Sequence, residues 1–433
     1  MLKKRFLSMT IIILMILLLY LTGCGNSSTT TEKANAEKTN GSITLTLAVN
    51  FAETDVTTQN LKTIAKNFEK ENPNIHVNVI SLPDYEATMK TKMAANDLPD
   101  MWTTHGWSVM RYSGYLLPLQ DQPWASKINP LIKPIITDKE GKIYVLPMDV
   151  DVAGIAFNKD VLDKAGVDPD SIKTWDDFKV ACDKIKAIGK IPVYLGGSQN
   201  AWTVGNFFDW VAPSFLVTDD NHNFRKELKD GTFDWNNYRP VAQLFVDFIK
   251  AGYFNKNANE GTWQEVGEAL AKGEAGFAFF GNYVIGEAMK YNPNGNYGFM
   301  PLPAAYKDGE RTVIVGERTA IGVWKDSKYK NEALKFLEYL AKPENINLVA
   351  KGNMTPTGLV GDGYKLDAGK LSPYFENAAK YKGFGYFDRE YLPNGMWDSL
   401  CKTGTGMLAG TMSIDQVIAQ LKADYQRLYQ QQK

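Results

Sequence analysis

From residue 43 onward the apolar positions fall into two rhythms. Ile43–Val49 (ITLTLAV) sets aliphatic residues against threonines at period two, the pattern of a half-buried strand. Leu61, Ile64, Ala65 and Phe68 then recur at i, i+3, i+4 and i+7, which predicts an amphipathic helix that Asn72-Pro73-Asn74 stops. Ile75, Val77 and Val79 alternate with polar residues in a second strand, and Asp84 stands where it would cap a helix carrying Tyr85, Met89 and Met93. Beyond Leu98-Pro99-Asp100, Met101-Trp102 reads as a third strand running into a loop. Strand, helix, strand, helix predicts an α/β unit with a mainly parallel sheet. Ligands of such sheets bind beyond the carboxyl ends of the strands, so the loops after Val49 and Trp102 are where function is expected.

The alternation continues further along. Residues 141–158 (GKIYVLPMDVDVAGIAFN) are strand-like but broken at Pro147 and 149–151. Thr174 with Asp177, Thr262 with Glu265 and Ser413 with Gln416 have capping-box spacing and open helices. Strands are expected at 191–195, 275–280 and 297–300, and further helices at 241–251 and 327–341. No repeat at a solenoid period is visible. The folded part of this 433-residue chain exceeds what one hydrophobic core usually holds, so two domains are expected.

The start of the chain changes the picture of where the protein resides. Lys3, Lys4 and Arg5 precede an apolar run at 11–21 that is short for a membrane span, as in a cleaved secretory leader. Leu21-Thr22-Gly23-Cys24 resembles a bacterial lipobox, which implies cleavage after residue 23 and a lipid on Cys24. Residues 25–42 (GNSSTTTEKANAEKTNGS) lack any aromatic or branched apolar side chain and read as a flexible linker. Losing the leader takes the net charge from −1 to −4, which offers nucleic acid nothing to prefer. Cys182 and Cys401 are too few for a disulfide framework; small buried packing or a single bridge are the two options.

Catalytic and metal signatures are scarce. His76, His105 and His222 have no metal-ligand spacing. The series Asp149, Asp151, Gly154, Asp160 fails as a calcium loop at Ala153. There is no Gly-x-Ser-x-Gly, no His-Glu-x-x-His and no phosphate loop, and the glycine run at 404–409 (GTGMLA) has no strand before it. No cofactor is expected.

Several stretches then carry a resemblance. FEKENP (68–73), MAANDLPD (93–100), IAFNKD (155–160), TWDDF (174–178), LAKGEA (270–275), GNY (281–283) and residues 330–343 follow one another in a set order. In that order the chain resembles the extracytoplasmic sugar-binding proteins of ABC importers, the family of maltose-, raffinose- and multiple-sugar-binding proteins. The resemblance implies a two-lobed α/β fold of the periplasmic-binding-protein type, with a ligand cleft between lobes joined by hinge crossings. The division expected is a leader at 1–23, lipidated Cys24 with a linker to 42, one lobe from 43–150 plus 284–325, and the other from 151–283 plus 326–433. It also implies a carbohydrate ligand, delivery to membrane permease subunits, attachment to the outer face of the membrane through the lipid, and a monomer.

A sugar needs aromatic faces for its C–H surface and fixed carboxylates or amides for its hydroxyl rim. The loop 102–107 (WTTHGW) follows the third strand; Trp102 and Trp107 are candidate platforms, with one of them expected to pack, and His105 is a hydrogen-bond donor or a structural residue. The resemblance points to Glu53 in the first loop and to Asp149 and Asp151 at a chain crossing, whose alternation puts both side chains to one side. It adds Trp202, with Asp209 and Trp210 as followers, a helix core being the equal alternative for Trp210, and Asn282 with Tyr283, where Tyr stands in place of the family's Trp. Glu317 and Arg318 would form a hydroxyl clamp or an internal ion pair, while Trp397 is expected to pack. The competing functions are a surface glycoside-active enzyme using Asp149 and Glu317, a receptor for a non-sugar ligand, and a sensor that reports to a signalling partner.

Overall fold

The computed structural model describes residues 42–197, 201–279 and 281–431; the leader, Cys24 and the linker lie outside them. In chain order the strands are β1 (Ile43–Val49), β2 (Ile75–Ser81), β3 (Met101–Thr103) and β4 (Leu146–Pro147). Then come β5 (Val150–Ala153), β6 (Ile155–Asn158), β7 (Ile191–Val193) and β8 (Ala275–Ala278). The last are β9 (Tyr297–Met300), β10 (Thr312–Glu317), β11 (Ala320–Val323) and β12 (Lys382–Phe384).

These strands make three sheets. The first has the order β2-β1-β3-β11-β4, with β2 and β3 parallel to β1 and β11 antiparallel to β3. The second runs β7-β8-β6-β9, and a small third sheet, β12-β10-β5, lies where the chain passes between them. Period-two burial is clean in β2, where Ile75, Val77 and Val79 are buried and His76 and Asn78 exposed. The helix Val56–Glu71 buries Leu61, Ile64, Ala65 and Phe68 as its spacing predicts, and Asp55 caps it by accepting from the Thr57 N–H at 2.8 Å. Both bonds of the capping box are present at Thr174–Asp177 and at Thr262–Glu265. Asp84 differs: it holds the N-cap position in a left-handed conformation (φ 44°) and its side chain caps nothing.

The sheets divide the chain into two α/β lobes, but not at the expected boundaries. β9, within the 284–325 stretch expected in the first lobe, pairs with β6 from Ile155↔Met300 to Asn158↔Tyr297 and so belongs to the second sheet. The helices Lys330–Leu340 and Pro343–Asn353, expected in the second lobe, pack instead on the helix Val56–Glu71. Phe68 meets Phe336 with ring centroids 5.0 Å apart, and Thr57 donates to the Asn353 side chain at 2.8 Å. Short fully buried strands and helices carry no mark of the sheet they join, because packing partners far apart in sequence decide it. The chain therefore passes between lobes at 149–154, at 317–320 and once more beyond Tyr364, whose hydroxyl still bonds the Ala341 carbonyl of the first lobe at 2.8 Å. Gly154 sits at the first passage, with the Met300 carbonyl where a Cβ would be.

One long helix, Trp202–Leu216, is absent from the sequence reading. From Thr203 to Leu216 all but one of its side chains are buried, so it presents no polar face and no 3.6-residue rhythm. The glycine run at 404–409 lies mostly in the helix Met396–Leu408, where Gly404 lets Phe208 and Val204 approach. Cys182 and Cys401 are both free and buried, which settles them as packing residues.

Candidate functional site

The parallel register that sets Leu47 beside Met101 and Ala48 beside Trp102 brings the ends of β1 and β3 together. Just past those ends, Asn50 donates its backbone N–H to the Thr103 hydroxyl at 3.0 Å, and that hydroxyl donates back to Asn50 Oδ1 at 2.7 Å. The Asn50 amide nitrogen lies 2.9 Å from His105 Nδ1. His105 and Gly106 both have positive φ, 49° and 89°, so the loop turns sharply. At Gly106 a Cβ would sit 2.5 Å from Arg389 Nη1, a position only glycine suits. Through that gap Arg389 donates to the His105 carbonyl at 3.0 Å. Two guanidinium carbons stand over the Trp107 ring, Arg111 at 3.9 Å and Arg389 at 4.5 Å. Burial and then the charges of Arg389, Arg318 and Arg111 hold the His105 pKa well below its ordinary value, so the ring is neutral.

A second group gathers where the chain passes between lobes. Asp149 is 0% exposed; its Oδ1 accepts the Thr319 N–H at 2.8 Å, and its Oδ2 accepts from Asn353 at 2.7 Å and Thr355 at 3.1 Å. Asp151 accepts from the hydroxyls of Tyr283 and Tyr386 through one oxygen, while its other oxygen is buried with no partner among the described residues. Burial raises the Asp151 pKa against the pull of Arg318 and the two tyrosines. Arg318 lies 3.8 Å from Asp149 and over the Tyr283 ring at 4.5 Å. Burial opposes its charge, but Tyr283, Asp149 and Asp151 raise its pKa overall. The two aspartates thus act on Arg318 together. Glu317 is not paired to Arg318. Its Oε1 takes the Ser108 N–H at 2.8 Å and its Oε2 is buried without a partner among the described residues, with burial raising its pKa.

These two groups form one network. Tyr386 bonds Asp151 and stacks under Arg389 at 4.4 Å, and Arg389 in turn reaches Trp107 and His105. Asn282, 1% exposed and next to Tyr283, has neither amide atom satisfied among the described residues. Buried polar atoms without partners cost about 1–3 kcal/mol each. Asp151, Asn282, Glu317, Arg318 and Arg389 each carry at least one such atom among the described residues.

Other expected residues stand elsewhere. Trp102 is corrected from platform to core: it is 0% exposed, edge-on to Tyr112 at 5.7 Å, because its strand is the middle of the first sheet. Asp149 is likewise corrected from ligand contact to structural tie, since its oxygens are taken up by three chain segments. Glu53 is exposed, with a side-chain exposure of 58%, and is paired with Lys62. Trp202 is half-buried against Trp263, with centroids 4.8 Å apart. Asp209 and Trp210 are buried in their helix, where Asp209 Oδ1 accepts the Asp388 N–H at 2.7 Å. Among the described residues no group of acidic, histidine or cysteine side chains could hold a metal ion. The sequence reading missed Asn50, Tyr386 and Arg389. Asn50 lies one residue beyond Val49, in a loop already singled out, whereas nothing local distinguishes Tyr386 or Arg389.

Comparison with known proteins explains the arrangement. A melibiose/raffinose/stachyose-binding protein of Bacillus subtilis is 32% identical over 97% of this chain and 96% of its own length. A B. subtilis binding protein solved in an open conformation superposes with a TM-score of 0.84 at 32% identity, over 90% of this chain and 99% of that one. A Bacillus licheniformis sugar transporter protein in complex with stachyose gives 0.79 at 34% identity, over 89% and 100%. The family model for bacterial extracellular solute-binding proteins matches residues 54–346, and with that match the chain belongs to this family.

Proposed function

We propose that the protein is the extracytoplasmic receptor of an ABC importer and that its ligand is an oligosaccharide of the melibiose, raffinose and stachyose group. The observation that carries this reading is the full-length likeness to a protein that binds those sugars. The chemistry of the network agrees with it. Trp107 and Tyr283 supply aromatic surface, and His105, Asp151, Asn282 and Arg318 supply hydrogen-bonding groups for a hydroxyl rim, with Glu317 behind them. The lobes close on the ligand about the passages at 149–154 and 317–320, because a ligand that contacts both lobes favours the closed state. Glu53 and Trp202 lie outside the proposed contacts.

The protein acts as a monomer tethered by a lipid on Cys24, a reading supported by the LTGC stretch and the linker composition after it. Among the described residues no helix is long and apolar enough to cross a membrane. A thermal-shift panel of mono- to tetrasaccharides tests the ligand class, since a ligand that binds only the folded state raises the midpoint by mass action. A rise with raffinose or stachyose supports the reading; a rise only with non-sugar solutes refutes it.

A further inference from the structure

The hydrogen-bond order at the ends of β1 and β3 fixes more than position. Thr103 is fully buried, so its hydroxyl hydrogen needs an acceptor inside the protein. Its oxygen already accepts the Asn50 backbone N–H at 3.0 Å, and it donates to Asn50 Oδ1 at 2.7 Å, although the Tyr85 hydroxyl also lies beside it. That choice orients the amide: with Oδ1 toward Thr103, Nδ2 points to His105 Nδ1 at 2.9 Å, and an amide nitrogen can only donate. Nδ1 must therefore be the bare nitrogen of the ring. In a neutral imidazole the proton then sits on Nε2. The reversed amide would break the 2.7 Å bond and leave the Thr103 hydroxyl hydrogen only the Tyr85 hydroxyl to turn to. Among the described residues the charged groups acting on the His105 ring are the guanidiniums of Arg389, Arg318 and Arg111, all of which disfavour an imidazolium. His105 is half-buried, and Nε2 has no partner among the described residues.

We infer that Asn50 is a positioning residue that presents His105 as a fixed Nε2–H donor, so that the site reads an acceptor oxygen of its ligand at this point. The identity of that oxygen as a sugar hydroxyl or ring oxygen rests on the proposed function; the tautomer does not. A group that can only donate, such as an ammonium, is rejected here because it would meet another donor.

The chain has three histidines, which makes the test direct. The full chain is labelled with 15N at histidine, and His105→Gln identifies the His105 signals. In the ligand-free protein His105 should show a protonated, pyrrole-type Nε2 and a bare, pyridine-type Nδ1. Asn50→Asp places a carboxylate against Nδ1 and should move the proton there, as the Nδ1–H tautomer or as imidazolium. Thr103→Val, which keeps the buried shape but removes the orienting hydroxyl, should give a mixture of tautomers; it serves also if Asn50→Asp fails to fold. Added stachyose should shift the Nε2 resonance; Asn50→Asp should weaken stachyose about tenfold or more if it yields the Nδ1–H tautomer, and should keep it bound if it yields imidazolium, which retains Nε2–H. A wild-type Nδ1–H tautomer overturns the inference, as does a tautomer unmoved in both variants. Stachyose that binds without shifting Nε2 overturns the donor role. If no sugar binds while the tautomer behaves as stated, the ligand class fails and the Asn50 role stands.

Discussion

Removing the Asp149 carboxylate should cost stability and leave ligand affinity nearly unchanged. In Asp149→Ala the Thr319 N–H, the Asn353 amide and the Thr355 hydroxyl lose an ionised acceptor in a fully buried place. Hydrogen bonds to a charged group contribute about 1.5–3 kcal/mol each, and such losses within one network do not add. Breaking one partner of a buried charge cluster costs about 3–5 kcal/mol, and Arg318 loses the Asp149 carboxylate at 3.8 Å. The expected destabilisation is therefore about 3–5 kcal/mol. Asp149→Asn should cost less, because Asn353 can turn its amide: its Oδ1 now accepts from Thr57, whose hydroxyl oxygen could accept in exchange. Urea denaturation followed by tryptophan fluorescence measures the loss, and calorimetry below the transition measures affinity. An Asp149→Ala protein of wild-type stability whose affinity falls tenfold would refute this assignment and return Asp149 to the ligand.

Four further outcomes are expected. Trp107→Ala should weaken ligand by about thirtyfold, near 2 kcal/mol, whereas Trp102→Ala should lose about 3–5 kcal/mol of stability while its folded fraction binds normally; reversed behaviour in paired calorimetry and melting would exchange their roles. Burial, and next the neighbouring Asp388, raises the Asp209 carboxyl well above its ordinary 3.8, so the native state keeps a proton that the unfolded chain releases. The stability tied to that proton is complete below the ordinary value and is lost as pH rises through the native one. Wild-type melting midpoints should therefore fall relative to Asp209→Asn as pH rises above about 4; a constant difference would contradict a raised carboxyl. Cys24→Ala should leave the protein uncleaved or released from cells, and membrane retention like wild type after fractionation would sink the lipid tether.

Much of the fold was legible because its rhythms are local. β1, β2 and the helix Val56–Glu71 each have one wet face, and the alternation of Ile75, Val77 and Val79 with His76 and Asn78 shows it. Trp202–Leu216 was not legible because burial on nearly all its faces erases that rhythm. The lobe boundary failed for a related reason: β9 and the helix Lys330–Leu340 choose their sheets through partners such as Ile155 and Phe68, more than a hundred residues away. In the candidate site, loop position singled out His105 and Trp107, and period-two spacing set Asp149 and Asp151 to one side; both act on Arg318. Sequence had no means to tell that three segments consume the Asp149 oxygens while one oxygen of Asp151 stays unpartnered. Arg389 belongs to a four-residue helix, Phe387–Glu390, and reaches Trp107 only because the chain returns from far beyond it.

The most direct measurement is a calorimetric titration of the protein with stachyose and raffinose, with sn-glycerol 3-phosphate as the non-sugar control. The account predicts a saturable heat at one sugar per chain, with a Kd at or below about 10 μM, near −7 kcal/mol. No heat with either sugar, together with saturable binding of the phosphate, would contradict it.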